Sequence, residues 1–229
     1  MVEVTGSTQD DLLASIARNE ARNGDVIVTE FQSAGRGRLD RKFDAPHSSA
    51  LMFSLYLQPT RDKSDWSFLP LLSGLITSLA LAEIDPRIEV ALKWPNDLFI
   101  AEKKVGGIIA HAAEMGIVIG IGINVAMTES ELPVTHATSL AIGKFCELDR
   151  NIILANILTQ YEEIFMRWEA GEDLRHLYRD RSATIGREVR VDTPHGAHIN
   201  GLAIDIAPNG ELILKDGNRV TVGDVVHLR

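Results

Sequence analysis

Apolar positions along the chain switch between two spacings. Residues 9–23 carry them at helical period behind Ser7 and Thr8, either of which suits a helix cap. Asp10 and Asp11 match the dipole of the first turn, and Gly24 ends the predicted helix. Residues 25–31 alternate as a strand, and residues 50–57 (ALMFSLYL) form a second. Between them, 33–49 holds glycine, proline and charge without apolar period, a long loop. Residues 64–83 return to helical spacing and predict a core helix. Residues 90–94 read as a strand closed by the turn Pro95-Asn96-Asp97. Residues 98–100 and 105–112 form a hairpin, followed by a buried strand at 116–125 (GIVIGIGINV). Residues 128–138 read as a polar, mobile connection, 149–170 as a strongly amphipathic helix and 172–181 as a short one.

From Ile185 the pattern changes to short alternating strands separated by Pro208-Asn209-Gly210 and Asp216-Gly217-Asn218. This predicts an α+β domain over 1–182 and a small β-barrel over 183–229.

Composition adds limits. Hydrophobic residues make up 45% and charged residues 24% of the chain, an ordinary globular balance. No run of eighteen apolar residues occurs, so no membrane span is expected. The N-terminus has neither a basic head nor an apolar segment, so no signal peptide is expected and a cytoplasmic location follows. One cysteine, Cys146, forms no internal disulfide and no metal pair, and reads as a packed, reduced thiol. Net charge is −9, which argues against nucleic acid as partner. Yet Arg36, Arg38, Arg41, Lys42, Lys93, Lys103 and Lys104 concentrate in two short segments. A cationic spot in an acidic chain points to a small anionic ligand.

Five strings carry candidate chemistry. QSAGRGR at 32–38 follows a strand, so its backbone approaches a ligand closely while two guanidiniums reach anionic oxygens; alone, it also reads as an exposed loop. KWPND at 93–97 offers a cation, an aromatic surface and oxygen ligands of the kind Mg²⁺ takes, or simply a capped turn. Lys104 before Gly106-Gly107 opens an alternating strand and is held over a pocket, or is a hairpin-tip lysine; Lys103 faces solvent. Ser7, Thr8 and Gln9 cap a helix and also present polar groups to a neutral ligand head. Glycines in GIGIN at 120–124 let a backbone or ligand come close. No GxxxxGK[ST], GxGxxG or GxSxG is present, and His195 and His198 lie in a predicted turn without metal partners.

In order and spacing, GSTQ at 6–9, EFQSAGRGR at 30–38, KWPND at 93–97, KKVGGI at 103–108, GIGINV at 120–125 and ATSL at 137–140 resemble the biotin–protein ligase family. The resemblance implies a class II synthetase-like catalytic domain with an SH3-like C-terminal domain. It implies an enzyme that makes biotinyl-5′-AMP from biotin and Mg·ATP and passes the biotinyl group to a lysine of a biotin carboxyl carrier domain. It places Ser7, Thr8, Gln9, Gln32, Arg36, Gly37, Arg38, Lys104 and Gly107 at biotin. Arg38, Arg41, Lys93, Asn96 and Asn124 would meet ATP, and Asn96 or Asp97 the metal. Arg36, Lys93 and Lys104 would be catalytic, offsetting the repulsion between a carboxylate and the α-phosphate. The GRGR loop and 128–138 would order on ligand binding.

Three departures stand out. Gln9 replaces a common Asn, and Leu39-Asp40-Arg41-Lys42-Phe43 replaces a frequent Arg-Gly-Arg-x-Trp, putting loop closure and adenylate retention in question. The ligand motif begins at Gly6, from which a ligase without a DNA-binding domain is expected. A lipoate–protein ligase, which would favour RRxSGGG, and a non-catalytic biotin or nucleotide sensor are the competing readings. Edge strands leave a homodimer open.

Overall fold

A computed structural model describes residues 1–38, 41–194 and 196–228; the expectations placed on Leu39, Asp40, His195 and Arg229 lie outside the described residues. Seven strands form the larger sheet: β1 (Val2–Thr5), β2 (Val26–Gln32), β3 (Ala50–Leu57), β4 (Ala91–Lys93), β5 (Asp97–Ile100), β6 (Lys103–Ala113) and β7 (Gly116–Asn124). Their spatial order is β1-β2-β3-β7-β6-β5-β4, with β1 parallel to β2 and the other pairs antiparallel. The sheet is therefore mixed.

Alternation along the central strands decides what each face does. Leu51, Phe53, Leu55 and Leu57 of β3 and Ile117, Ile119, Ile121 and Ile123 of β7 join one core cluster. They pack with α2 (Leu69–Ile84) and α3 (Arg150–Glu169). Of the intervening residues, Ser54, Gly120, Gly122 and Asn124 are small or polar and line a cavity on the opposite side, while Tyr56 and Val118 pack there against Leu12 of α1 (Thr8–Ala17). Because side chains alternate with period two, one strand supplies both a packed face and an open one. The segment Lys63–Ile84, a 3-10 turn running into α2, contains an 18-residue window of mean hydropathy 1.6 and passes the length and composition test for a membrane span. Two-thirds of that window is buried inside the protein, which explains why it is apolar all round.

Five further strands follow α4 (Arg175–Asp180): β8 (Glu188–Asp192), β9 (His198–Ile206), β10 (Leu212–Leu214), β11 (Arg219–Val220) and β12 (Asp224–His227). They form an antiparallel sheet in the order β11-β10-β9-β8-β12. Strands β11 and β12 are three residues apart in the chain yet sit at opposite edges, so the sheet curls round toward closure. Val189, Val191, Leu212 and Leu214 belong to the same apolar cluster as the larger sheet. The connection between the sheets is fixed: Leu92 N–H donates to Arg181 O and Ala183 N–H to Leu92 O, extending the edge at β4.

Several expectations change. Strand β1 was not foreseen, being only four residues, largely exposed and at an edge. Helix α1 ends at Ala17 rather than near residue 23, with Asn19 at φ 56° beyond a polar C-terminus. Ser7 holds the N-cap position without a side-chain capping bond. The loop 33–49 is partly paired, with Arg36 bridging to Lys42 and Phe43 N–H donating to Gly35 O. Residues 128–138 are tied down at one end: Lys104 N–H donates to His136 O and Thr138 N–H to Lys104 O. Cys146 is exposed rather than packed, although its N–H donates to the buried carboxylate of Asp85.

Candidate active site

The open face of the larger sheet carries a cavity of about 640 Å³. It is lined by Ser7, Thr8 and Gln9 from α1, Gln32 from β2, and Arg36, Gly37, Arg38 and Arg41 from the paired loop. Lys93, Asn96 and Asp97 enter from the β4–β5 turn, Lys104 and Gly107 from β6, and Asn124 from β7. Every residue singled out for ligand contact therefore lines this one space.

At the α1 end, the Thr8 N–H donates to Gln32 Oε1 at 2.8 Å, and the Thr8 hydroxyl stands 3.2 Å from the same oxygen and 2.8 Å from Ser54 Oγ. Gln9 Nε2 reaches Val118 O at 3.5 Å. Ser7, Thr8 and Gln9 are all buried, and the uncapped Ser7 hydroxyl is left for a ligand. This is a neutral polar end, built to bind an uncharged group.

Charge gathers at the other end. Lys104 Nζ lies 2.5 Å from Asp97 Oδ1. Arg38 Nη1 donates to Asn96 Oδ1 at 3.0 Å and Nη2 to Gly223 O at 3.3 Å. Asn96 Nδ2 donates to Ile108 O at 2.8 Å, so that amide is used on both sides and its orientation is set. Lys93 sits with its ammonium 5.2 Å from the Phe99 ring centre. Burial holds that ammonium below the ordinary lysine range, with Lys104 adding to the effect and Asp97 opposing it. Arg36 takes a rim position, its guanidinium 2.8 Å from Asp10. Asn124 Nδ2 donates to Thr138 O, leaving its carbonyl oxygen for a ligand.

Glycine is required at two of these places by space. A Cβ on Gly35 would collide with the Phe43 carbonyl and open the paired loop. On Gly122 it would sit 2.8 Å from the Phe43 ring, which lies across that part of the cavity floor.

One reading needs correction, and one contribution was not foreseen. Trp94 is 1% exposed, and its indole N–H donates to Gly210 O at 2.9 Å, so it anchors the C-terminal sheet and offers no stacking surface to a ligand. The SH3-like segment also contributes to the site: Asp192, Asp224, Val225 and Val226 line the cavity, and Asp224 pairs with Arg41 and, at 3.9 Å, with Arg38. Ser54 was missed as well, although it is the lone polar residue of an apolar strand. His136 had no signal in the sequence and lines the cavity by virtue of its pairing beside Lys104.

Residues 1–127 match the model of the biotin/lipoate A/B protein ligase family, and residues 184–228 match that of the biotin protein ligase C-terminal domain. The chain is 38% identical to a biotin–[acetyl-CoA-carboxylase] ligase of Mycobacterium tuberculosis, covering all of this chain and 88% of that one. It is 34% identical to the bifunctional ligase/repressor BirA of Salmonella typhimurium over 69% of its own length, spanning half of that longer protein. The structure resembles a biotin protein ligase from Aquifex aeolicus in complex with biotin and ATP, with a TM-score of 0.83, 28% identity and coverage of 100% and 97% of the two chains. Fold, site and sequence agree: this chain belongs to the biotin/lipoate A/B protein ligase family.

Proposed function

We propose that this chain is a biotin–protein ligase, activating biotin with ATP as biotinyl-5′-AMP and transferring it to a lysine of a biotin carboxyl carrier domain. The observation that carries this reading is the single cavity joining a neutral hydrogen-bonding end to a cationic one. Biotin has that polarity, an uncharged ureido head and a carboxylate tail.

Ser7, Thr8, Gln9 and Gln32 hydrogen-bond the ureido head. Arg36, Gly37 and Arg38 close over the bound ligand, and Lys104, passing over Gly107, meets the carboxylate. Arg38, Arg41, Lys93, Asn96 and Asn124 receive the nucleotide. Adenylation brings a carboxylate oxygen onto the α-phosphorus and expels pyrophosphate, and Arg36, Lys93 and Lys104 offset the crowding of negative charge. One donor placed for such charge is worth about 3–4 kcal/mol, or on the order of a hundredfold to a thousandfold in rate.

Magnesium fits as a companion of the nucleotide. Among the described residues no group of three or more His, Cys, Asp or Glu is arranged to hold a metal, and the Asn96 carbonyl already accepts from Arg38. Asp97 is left as the protein oxygen donor, as expected for an ion carried mainly by phosphates and water. When bound, Mg²⁺ would draw electron density from the phosphates.

The domain division at 182/183 belongs to this reading and is supported by the C-terminal match over 184–228. A cytoplasmic location and a homodimer through the exposed edge at β1 belong to it as proposals.

Pyrophosphate exchange into ATP tests the function. Exchange that requires biotin supports the ligase; exchange driven by lipoate, or binding of biotin without exchange, would replace it with a lipoate ligase or a sensor.

A further inference from the structure

Asp192 and Asp224 are register partners across the β8–β12 pair, and both line the cavity. Like charges directly opposite one another in an antiparallel pair cost stability, so each carboxylate needs cations. Asp192 finds them within its own sheet: Arg190 donates to it at 2.9 and 3.2 Å, and His198 Nδ1 lies at 2.7 Å. Asp224 instead takes Arg41 and Arg38, which belong to the ligand loop of the other sheet.

This difference matters once nucleotide is bound. Phosphate oxygens compete for the same guanidinium donors, and Arg–phosphate pairing is strong and bidentate. Arg38 and Arg41 engaged on the phosphate leave Asp224 without its counter-charge while Asp192 stays opposite. A cation arriving from outside then fits the gap. Val226, two residues along β12, is exposed and lines the same cavity, as do Pro133 and Val134 of the segment paired beside Lys104. These apolar sides suit the four-carbon stem of a lysine.

We propose that Asp224 receives the ammonium of the acceptor lysine after Arg38 and Arg41 have turned to the adenylate, so that acceptor is admitted to the loaded enzyme in preference to the empty one. The inference rests on the ligase reading above. In the transfer, the ammonium gives one proton to the Asp224 carboxylate. The lysine nitrogen attacks the biotinyl carbonyl carbon, the C–O bond to AMP breaks, and AMP leaves with the electron pair as its phosphate monoester. A second nitrogen proton passes to solvent as the amide forms, and Asp224 returns its own to solvent.

The test compares two rates on the same preparations: biotin-dependent ATP–pyrophosphate exchange, and single-turnover transfer from preformed biotinyl-adenylate to a biotin carboxyl carrier domain. Asp224→Asn is expected to lower the ratio of transfer to exchange about a hundredfold or more, the scale of a lost proton acceptor, with Asp224→Glu recovering most of it. Arg41→Ala, which removes a loop partner of Asp224 from the empty enzyme, is expected to narrow the difference in carrier-domain affinity between the empty and the adenylate-loaded enzyme. Parallel loss of both rates in Asp224→Asn, equal impairment in Asp224→Glu, or an undiminished affinity difference for Arg41→Ala overturns the proposal. Absence of exchange in the unaltered protein would strike the ligase reading instead.

Discussion

The ammonium of Lys104 reaches Asp97 at 2.5 Å although the backbone of Lys104 pairs opposite Phe99, two residues away. The side chain runs forward along β6 to Gly107, the register partner of Asp97, where a Cβ would stand 3.3 Å from Nζ. A register shift between Leu98 and Phe99 and the bare surface of Gly107 together put this cation beside Asn96 and Asp97. The salt bridge holds the Lys104 ammonium beside Asp97, and the proposed role in adenylation would have it exchange Asp97 for the biotin carboxylate.

Replacing Lys104 with Ala should lower biotin-dependent pyrophosphate exchange by about a hundredfold to a thousandfold, the scale for one missing charge donor. Circular dichroism should be unchanged, since the side chain is part of no core cluster. Exchange at the unaltered rate would remove Lys104 from the mechanism.

Gly35→Ala should separate the two arms of the ligand loop, because its Cβ meets the Phe43 carbonyl. Overpacking of this kind costs about 1–3 kcal/mol. Weaker biotin binding by calorimetry and faster tryptic cutting after Arg36 and Arg38 are the expected signs. Cutting at the original rate would mean the pairing of Gly35 with Phe43 does not hold the loop.

Trp94→Phe deletes the indole donor to Gly210 and leaves that carbonyl without its partner. About 1–3 kcal/mol of stability should be lost, read as a lower melting temperature. The Michaelis constant for ATP should move little, because the Trp94 ring is buried with its indole N–H on Gly210 and presents no open face to the cavity. A large rise in that constant with an unchanged melting temperature would restore a stacking role.

His227 gives a pH signature. Burial first, then repulsion from Lys93 and Arg187, pushes its imidazole down to about 4, with Glu102 opposing. A free imidazole titrates at ~6.5, so between those values the unfolded chain takes up a proton that the folded chain refuses. The stability due to neutral His227 is present above ~6.5 and is lost as pH falls toward 4. Melting temperatures at pH 7 and pH 5 should therefore differ more for the unaltered protein than for His227→Gln. Equal differences would count against it.

Much of this was legible because it depends on local patterns. Strand β3 begins and ends where its apolar run does. The odd positions of β7 point to the core because side chains alternate whatever the surroundings. Motifs on the larger sheet are visible in the sequence because each combines a cation or amide with turn or glycine chemistry. Strand β1 could not, since four largely exposed residues become a strand only by pairing with β2.

By itself, then, the sequence determined the order of the larger elements from α1 to α4, the change to short strands after Ile185 and the residue types suited to a carboxylate, a phosphate and a neutral head. Only the tertiary structure decided that Trp94 serves the junction between sheets and that Asp224, 186 residues from Arg38, faces it across the cavity. The reason is physical. Propensity and periodicity act over a few residues, whereas the partner of a buried indole or an ion-paired guanidinium is set by how two finished sheets come together.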